Sequence, residues 1–158
     1  MKVRMNKADD EVNRELHAVC DNGLRPIILG GESKTDKGTP SNDLVDRMEA
    51  MLDGITADKI TRALMVYEPE WAIGADEPAP PEYIAERATF MRHWLMERFG
   101  NDAVQPIPII YGVAVFPENA EWLLTTPDID GLGAGRKSRD PKEFAKIVRT
   151  VARAYELE

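Results

Sequence analysis

The stretch MVYEPEWAIGADEPAPPEY, Met65 to Tyr83, decides how this chain is read. Met65, Val66 and Tyr67 have the character of a buried strand, but the run stops on Glu68 rather than on a turn residue. Pro69, Trp71 and Gly74 follow within a few positions. A carboxylate is costly beside an apolar sheet unless it is paired or used. Glu68 is therefore either one half of a surface ion pair or a group placed at the strand's mouth for its chemistry.

The segments on either side supply the context. DDEVNRELHAVCDNG places Val12, Leu16, Val19 and Cys20 on one helical face, with Asn22-Gly23 as its stop. RPIILGG is a short apolar strand closed by glycines, and SKTDKGTPSN is a polar loop. The next helix takes Ser41 as N-cap and turns Leu44, Val45, Met48, Met51 and Leu52 inward. TADK fits a brief helical turn before the strand RALMVYE. Pro81 opens the longest helix, with Ile84, Ala88, Met91, Leu95 and Phe99 on one side and Gly100 beyond its end. IPIIYG is a third strand, PENAEWLLT a short helix from Pro117, and DIDGLGAG a fourth strand. Asp140-Pro141 opens the last helix, whose Phe144, Ile147, Val148 and Val151 are expected to point inward.

One helix, then four rounds of strand and helix, predicts a parallel sheet covered by helices. The unusual residues gather at the strands' C-terminal ends: Gly30-Gly31-Glu32, Glu68, Tyr111-Gly112 and Gly133-Ala134-Gly135. In parallel α/β sheets that edge is the functional one.

Bulk properties narrow the partners. With 158 residues the chain is expected to form a single domain spanning 1–158. A net charge of −8 and a pI near 4.9 oppose nucleic acid and anionic membrane as partners. Cys20 is the only cysteine, which excludes an internal disulfide and a cysteine-based zinc site. A signal-peptide core and a long apolar run are both lacking, and the expected location is cytoplasmic.

YEPEWAIG, in its setting, resembles the Tyr-Glu-Pro-x-Trp-Ala-Ile-Gly signature of the triosephosphate isomerase family. IIYGVAV is similar to that family's Tyr-Gly-Gly-Ser strand end, PENA to the Pro-Glu-Asn-Ala after it, and DIDGLGAGRKS to its Asp-Ile-Asp-Gly to Gly-Gly segment. GLRPIILGGE matches its Gly-Leu-x-Pro-Ile strand ending in Gly-Glu. The motifs run in family order over almost the whole chain. A member is an eight-stranded barrel of about 250 residues, so the resemblance implies a partial TIM (β/α)8 barrel. This would be a C-terminal half-barrel of four parallel strands alternating with helices.

The resemblance also implies roles. Glu68 would be the base of an aldose–ketose isomerisation through an enediolate; the family is the standard example of this acid–base tuning, and the assignment is taken from it. Gly74, Gly133 and Gly135 would offer backbone N–H groups to a substrate phosphate. Arg136 would either add charge there or point outward. Trp71 would be a hinge packing residue of a lid of Ala72, Ile73, Gly74, Ala75 and Asp76, which Tyr111 would latch through its hydroxyl. Glu70 is expected to be a solvated neighbour. The ligand would be a small sugar phosphate, and the isomerisation requires no cofactor and no metal.

Departures from the pattern set further expectations. The family's Asn-x-Lys and catalytic histidine have no counterpart, since His17 and His93 belong to amphipathic helices. Ala114 stands for a phosphate-loop serine, Arg136 for the second glycine of the last phosphate loop, and Asp76-Glu77-Pro78 for Gly-Lys-Thr in the lid. A truncated, nearly inactive isomerase is one expectation. A non-catalytic half-barrel that binds a sugar phosphate or serves in assembly is the other. Open sheet edges and bare barrel-facing side chains predict a homodimer or higher oligomer.

Overall fold

The computed structural model describes residues 9–33 and 42–156. Helix α1 (Asp9–Asp21) comes first, followed by β1 (Ile27–Gly30), α2 (Asn42–Met51) and the single turn α3 (Ala57–Ile60). Next come β2 (Leu64–Tyr67), α4 (Pro81–Phe99), the short α5 (Asn101–Val104) and β3 (Ile109–Tyr111). The chain ends with α6 (Ala120–Leu124), β4 (Gly131–Leu132) and α7 (Pro141–Glu156). Two 3-10 turns, Glu70–Ala72 and Arg136–Arg139, follow β2 and β4.

The strands form a four-stranded sheet in the order β1-β2-β3-β4, with every pairing parallel. Register aligns Gly30 with Tyr67, Tyr67 with Tyr111, and Tyr111 with Leu132. All four strands therefore end at one edge, and the glycine-rich and acidic residues emerge together there. Sequential strands joined by helices have this outcome because a right-handed crossover returns each strand parallel to the one before.

Helices bury one side of the sheet. Ile84, Ala88, Met91 and Leu95 of α4 are fully buried with Met65 and Ile109 of the central strands. Each large apolar side chain so buried contributes about 1.5–3 kcal/mol. Pro81 starts α4 as predicted, and Gly100 ends it at a φ of 87°. Asp140 caps α7, its carboxylate accepting from the Lys142 N–H at 2.9 Å. The predicted cap Ser41 lies outside the described residues. Leu44, Met48, Met51 and Leu52 are inward on α2 and just after it, as predicted, with Val45 half-buried.

Three local readings are corrected. Helix α6 begins at Ala120, not Pro117, because Asn119 uses its side chain to close the preceding turn. Its Oδ1 accepts from Phe116 N–H at 2.8 Å and its Nδ2 donates to Ala114 O at 2.8 Å. In α1 only Leu16 is buried, while Val12, Val19 and Cys20 are half-buried. Among the described side chains of α7 only Ile147 is buried; Phe144 and Val148 remain 42% and 49% exposed. Among the described residues no strand lies beyond β4 to cover that stripe. The opposite edge is bare as well, with Ile27 and Leu29 of β1 at 62% and 54% exposure.

Both histidines are away from the strand ends. His17 meets Asp53 O at 2.9 Å where α1 crosses the end of α2, and His93 lies exposed on α4.

Candidate active site

Glu68 leaves β2 between two glycines, and at each of them the space a side chain would need is already occupied. The Glu68 N–H donates to Gly30 O at 2.9 Å, and the Gly112 N–H donates to Tyr67 O at 3.1 Å. A Cβ added at Gly31 would lie 2.2 Å from Glu68 O, so the backbone of Glu68 fills that space. A Cβ at Gly112 would lie 2.4 Å from Glu68 Oε1 and 2.8 Å from Val66 Cγ1. The carboxylate thus rests on the bare backbone of the β3 end. Burial raises its pKa above the ordinary carboxylate value. A carboxylate so desolvated binds a proton more readily, the property that a general base working near neutrality needs.

The carboxylate opens into a cavity of about 270 Å³. Gly112 lies beside it, Ile73 and Gly74 come from the loop after β2, Ala114 and Phe116 from the loop after β3, and Gly135 and Arg136 from the loop after β4. Three loops and one acid therefore share a single space. Gly74 has a φ of 84°, a backbone state that glycine adopts without strain. Ala114 holds a φ of 50° on the same wall.

Not every predicted residue reaches this space. Gly133 lines no part of it; a Cβ there would sit 3.3 Å from Gly112 Cα, so this glycine spaces β4 from β3. The Arg136 guanidinium lines the cavity but is turned onto the loop after β2. It donates to Ala75 O and stands 3.8 Å from the Asp76 carboxylate and 5.8 Å from the centre of the Phe116 ring. The last strand is followed by a 3-10 turn rather than an α-helix, because Ser138 N–H bonds back to Gly135 O at 3.2 Å.

The loop from Pro69 to Pro80 is pinned at both ends. At its far end the buried Tyr111 hydroxyl accepts from the Ala79 N–H at 2.9 Å. Burial pushes the Tyr111 pKa up to about 12. The hydroxyl therefore meets the far hinge and not the Ala72–Asp76 tip. At the near end Trp71 Nε1 donates to Glu32 Oε1 at 3.0 Å, and Ala72 is fully buried. Ile73 is 57% exposed at the tip. Glu70 is not merely solvated: its carboxylate pairs with Arg47 at 3.2 Å.

Residues that had no site role in the sequence, or only a place at a strand end or in a loop, complete the arrangement. Glu32 is wholly buried and collects the hydroxyls of Tyr67 and Tyr83 as well as the Trp71 indole. Gly112, Ala114 and Phe116 line the cavity. Glu32 and Gly112 stood in the sequence at strand ends, which was their one visible signal. Tyr83 lies on a helix and gave none. Among the described residues no group of three metal-ligating side chains occurs, and no helix is long and apolar enough to cross a membrane.

Comparison with known proteins agrees with this architecture. The sequence model of the family described as Triosephosphate isomerase matches residues 2–151. A triosephosphate isomerase of Solibacter usitatus is 34% identical over 145 residues, 90% of this chain and 58% of the relative. The corresponding protein of Lactobacillus acidophilus is 33% identical over 145 residues, again 90% and 58%. That of Roseiflexus sp. is 35% identical over 144 residues, 90% and 57%. The chain thus spans under three-fifths of the length of these curated relatives.

Proposed function

This chain belongs to the triosephosphate isomerase family, and from that premise we propose that Glu68 is the base of an aldose–ketose isomerisation of a small sugar phosphate. The observation that carries this reading is the single cavity shared by the half-buried Glu68 carboxylate, Gly74, Gly135 and Arg136.

In this reading the Glu68 carboxylate takes a proton from the carbon beside the substrate carbonyl and returns it to the neighbouring carbon. The intermediate is an enediolate, and one group can serve both transfers because the two carbons are adjacent. The phosphate lies at the far end of the cavity, against the backbone of Gly74 and Gly135. Arg136 releases Ala75 and Asp76 to meet it. The Ala72–Asp76 lid, hinged at Trp71 and Ala79, excludes water while the enediolate exists. No cofactor or metal enters the reaction. The same reading puts the protein in the cytoplasm, where their charge retains phosphorylated sugars.

The family's lysine and histidine have no counterpart at these strand ends, and each such group is worth roughly two to four decades in rate. We therefore expect these 158 residues by themselves to turn over slowly. Assay with glyceraldehyde 3-phosphate and related ketose phosphates, comparing wild type with Glu68→Gln, tests the base. Activity that survives the substitution refutes it. The second reading, a non-catalytic half-barrel that binds a sugar phosphate or serves in assembly, rests on that missing pair of groups. It predicts phosphate binding with no turnover in either protein.

Two bare regions motivate a homo-oligomer. One is the edge of β1, where Val12, Val19, Ile27 and Leu29 line a cavity of about 440 Å³. The other is the α7 stripe of Phe144, Val148 and Tyr155. A second copy that covered both would remove exposed apolar surface and open strand edges together. Light scattering after size exclusion tests this; a monomer at micromolar concentration contradicts it.

A further inference from the structure

We infer that Tyr83 is a positioning residue for the lid, holding its near hinge shut through Glu32 and Trp71 at once. The inference rests on the reading above that the Ala72–Asp76 segment closes over the Glu68 cavity.

Tyr83 lies in the first turn of α4, one residue after Glu82 and well away from the cavity lining. Its hydroxyl donates to Glu32 Oε1 at 2.7 Å, closer than the 3.1 Å of Tyr67 or the 3.0 Å of the Trp71 indole. Its ring meets the Trp71 ring edge-on, with centroids 5.4 Å apart and planes at 79°. Tyr83 therefore touches the hinge indole directly and also holds the carboxylate oxygen to which that indole donates.

Burial explains why the clasp is strong. Glu32 is 0% exposed, and carboxyl oxygens so buried need hydrogen-bond donors. The Arg87 guanidinium, 2% exposed, lies 4.7 Å from the Tyr83 ring centre on the same helix. The phenol thus stands between a buried carboxyl group and a buried guanidinium, donating its hydroxyl proton toward one and presenting its ring to the other. A guanidinium over an aromatic face is itself attractive when desolvated. For Trp71 to leave, its indole must give up Glu32 and the ring must give up its edge-on contact. Helix α4 therefore sets the resting position of the loop that covers Glu68.

Hydrogen–deuterium exchange of the whole chain tests this directly. Tyr83→Phe removes the hydroxyl and keeps the ring, and Tyr83→Leu removes both. Leaving a buried acceptor short of a donor corresponds to about a ten- to hundredfold change in an opening equilibrium. Lid amides from Glu70 to Ala79 should exchange faster by that factor in Tyr83→Phe and faster again in Tyr83→Leu. Amides of β2 and the centre of α4 should stay within about twofold of wild type. Adding Trp71→Phe to Tyr83→Phe should raise lid exchange by clearly less than Trp71→Phe does in wild type, because both act on one clasp.

Inorganic phosphate, titrated by calorimetry, serves as the second readout, with affinity falling in step with lid opening. Unchanged lid exchange in Tyr83→Phe overturns the inference. So does an equal rise throughout α4 and the sheet, which would make Tyr83 a core residue only. So does full additivity with Trp71→Phe. A wild type that binds no phosphate refutes the cavity's ligand, not Tyr83, which the exchange contrast still decides.

Discussion

Alanine at Gly31 and at Gly112 should damage the protein in two different ways, and the difference follows from what each new methyl would strike. At Gly31 the nearest atoms are Glu68 O at 2.2 Å, Glu68 C at 2.5 Å and Pro69 N at 2.8 Å. All three are main chain just past the paired ends of β1 and β2, where the Glu68 N–H is bonded to Gly30 O. The strands must separate by more than an ångström, which breaks ladder hydrogen bonds. Overpacking typically costs about 1–3 kcal/mol, and Gly31→Ala belongs at or above the top of that range. At Gly112 the nearest atoms are Glu68 Oε1 at 2.4 Å, Val66 Cγ1 at 2.8 Å and Glu68 Cγ at 2.9 Å. These are side chains, and the carboxylate end can swing away, although Val66 Cγ1 and Glu68 Cγ must also give. Gly112→Ala should cost about 1–3 kcal/mol, less than Gly31→Ala, while moving the carboxylate by about an ångström, enough to lose ~10²-fold in any proton transfer it performs. Urea unfolding gives the first quantity. A ¹³C titration of the Glu68 carboxyl reports the second without requiring turnover, because a displaced, better-hydrated carboxylate titrates lower. Equal stability losses for the two variants would refute the reasoning. So would a Glu68 titration that is unchanged in Gly112→Ala.

Three further outcomes follow from the same geometry. Burial raises the Glu68 pKa in the folded state, so its stability contribution is fully present below the unfolded pKa and lost as pH rises through the folded one. Denaturation midpoints should therefore fall with rising pH across that window more in wild type than in Glu68→Gln, and parallel curves would contradict the buried carboxylate. Tyr111→Phe strands the buried Ala79 N–H, at a cost of about 1–3 kcal/mol; amide exchange at Ala79 should rise, and an unchanged rate would place the latch elsewhere. Phe144→Lys with Val148→Lys should convert the proposed oligomer to monomer with little change in the chain's helical circular dichroism, since both residues are already exposed. An unaltered scattering mass would remove α7 from the interface.

Much of this architecture was legible in the sequence because its signals were local. Alternating apolar runs and helical faces gave four strands in order, and Pro81, Gly100 and Asp140 marked helix boundaries through backbone constraints that act within a few residues. Glu68 was legible for the opposite reason: a carboxylate contradicts the strand it terminates. What could not be read depends on contacts distant in sequence. Tyr83 meets Glu32 across 51 positions, and Arg136 meets Ala75 across 61. Gly133 and Gly135 share one short run past the end of β4, yet Gly135 lines the cavity and Gly133 packs against Gly112 Cα, a difference that only the neighbouring strand sets. Phe144 and Val148 have a helical core spacing and remain uncovered, since periodicity states which face is apolar and not whether anything lies against it.

Central to the account is one cavity that joins the Glu68 carboxylate to the loops carrying Gly74 and Gly135. Phosphoglycolate carries a phosphate and a planar carboxylate two carbons long, and so resembles an enediolate phosphate. Titrating it into ¹⁵N-labelled protein should move the Gly74, Gly135 and Gly112 amide signals together with a single dissociation constant, and should shift the Glu68 carboxyl titration in the same sample. Signals that move on other surfaces, or glycine amides that respond while the Glu68 titration does not, would contradict it.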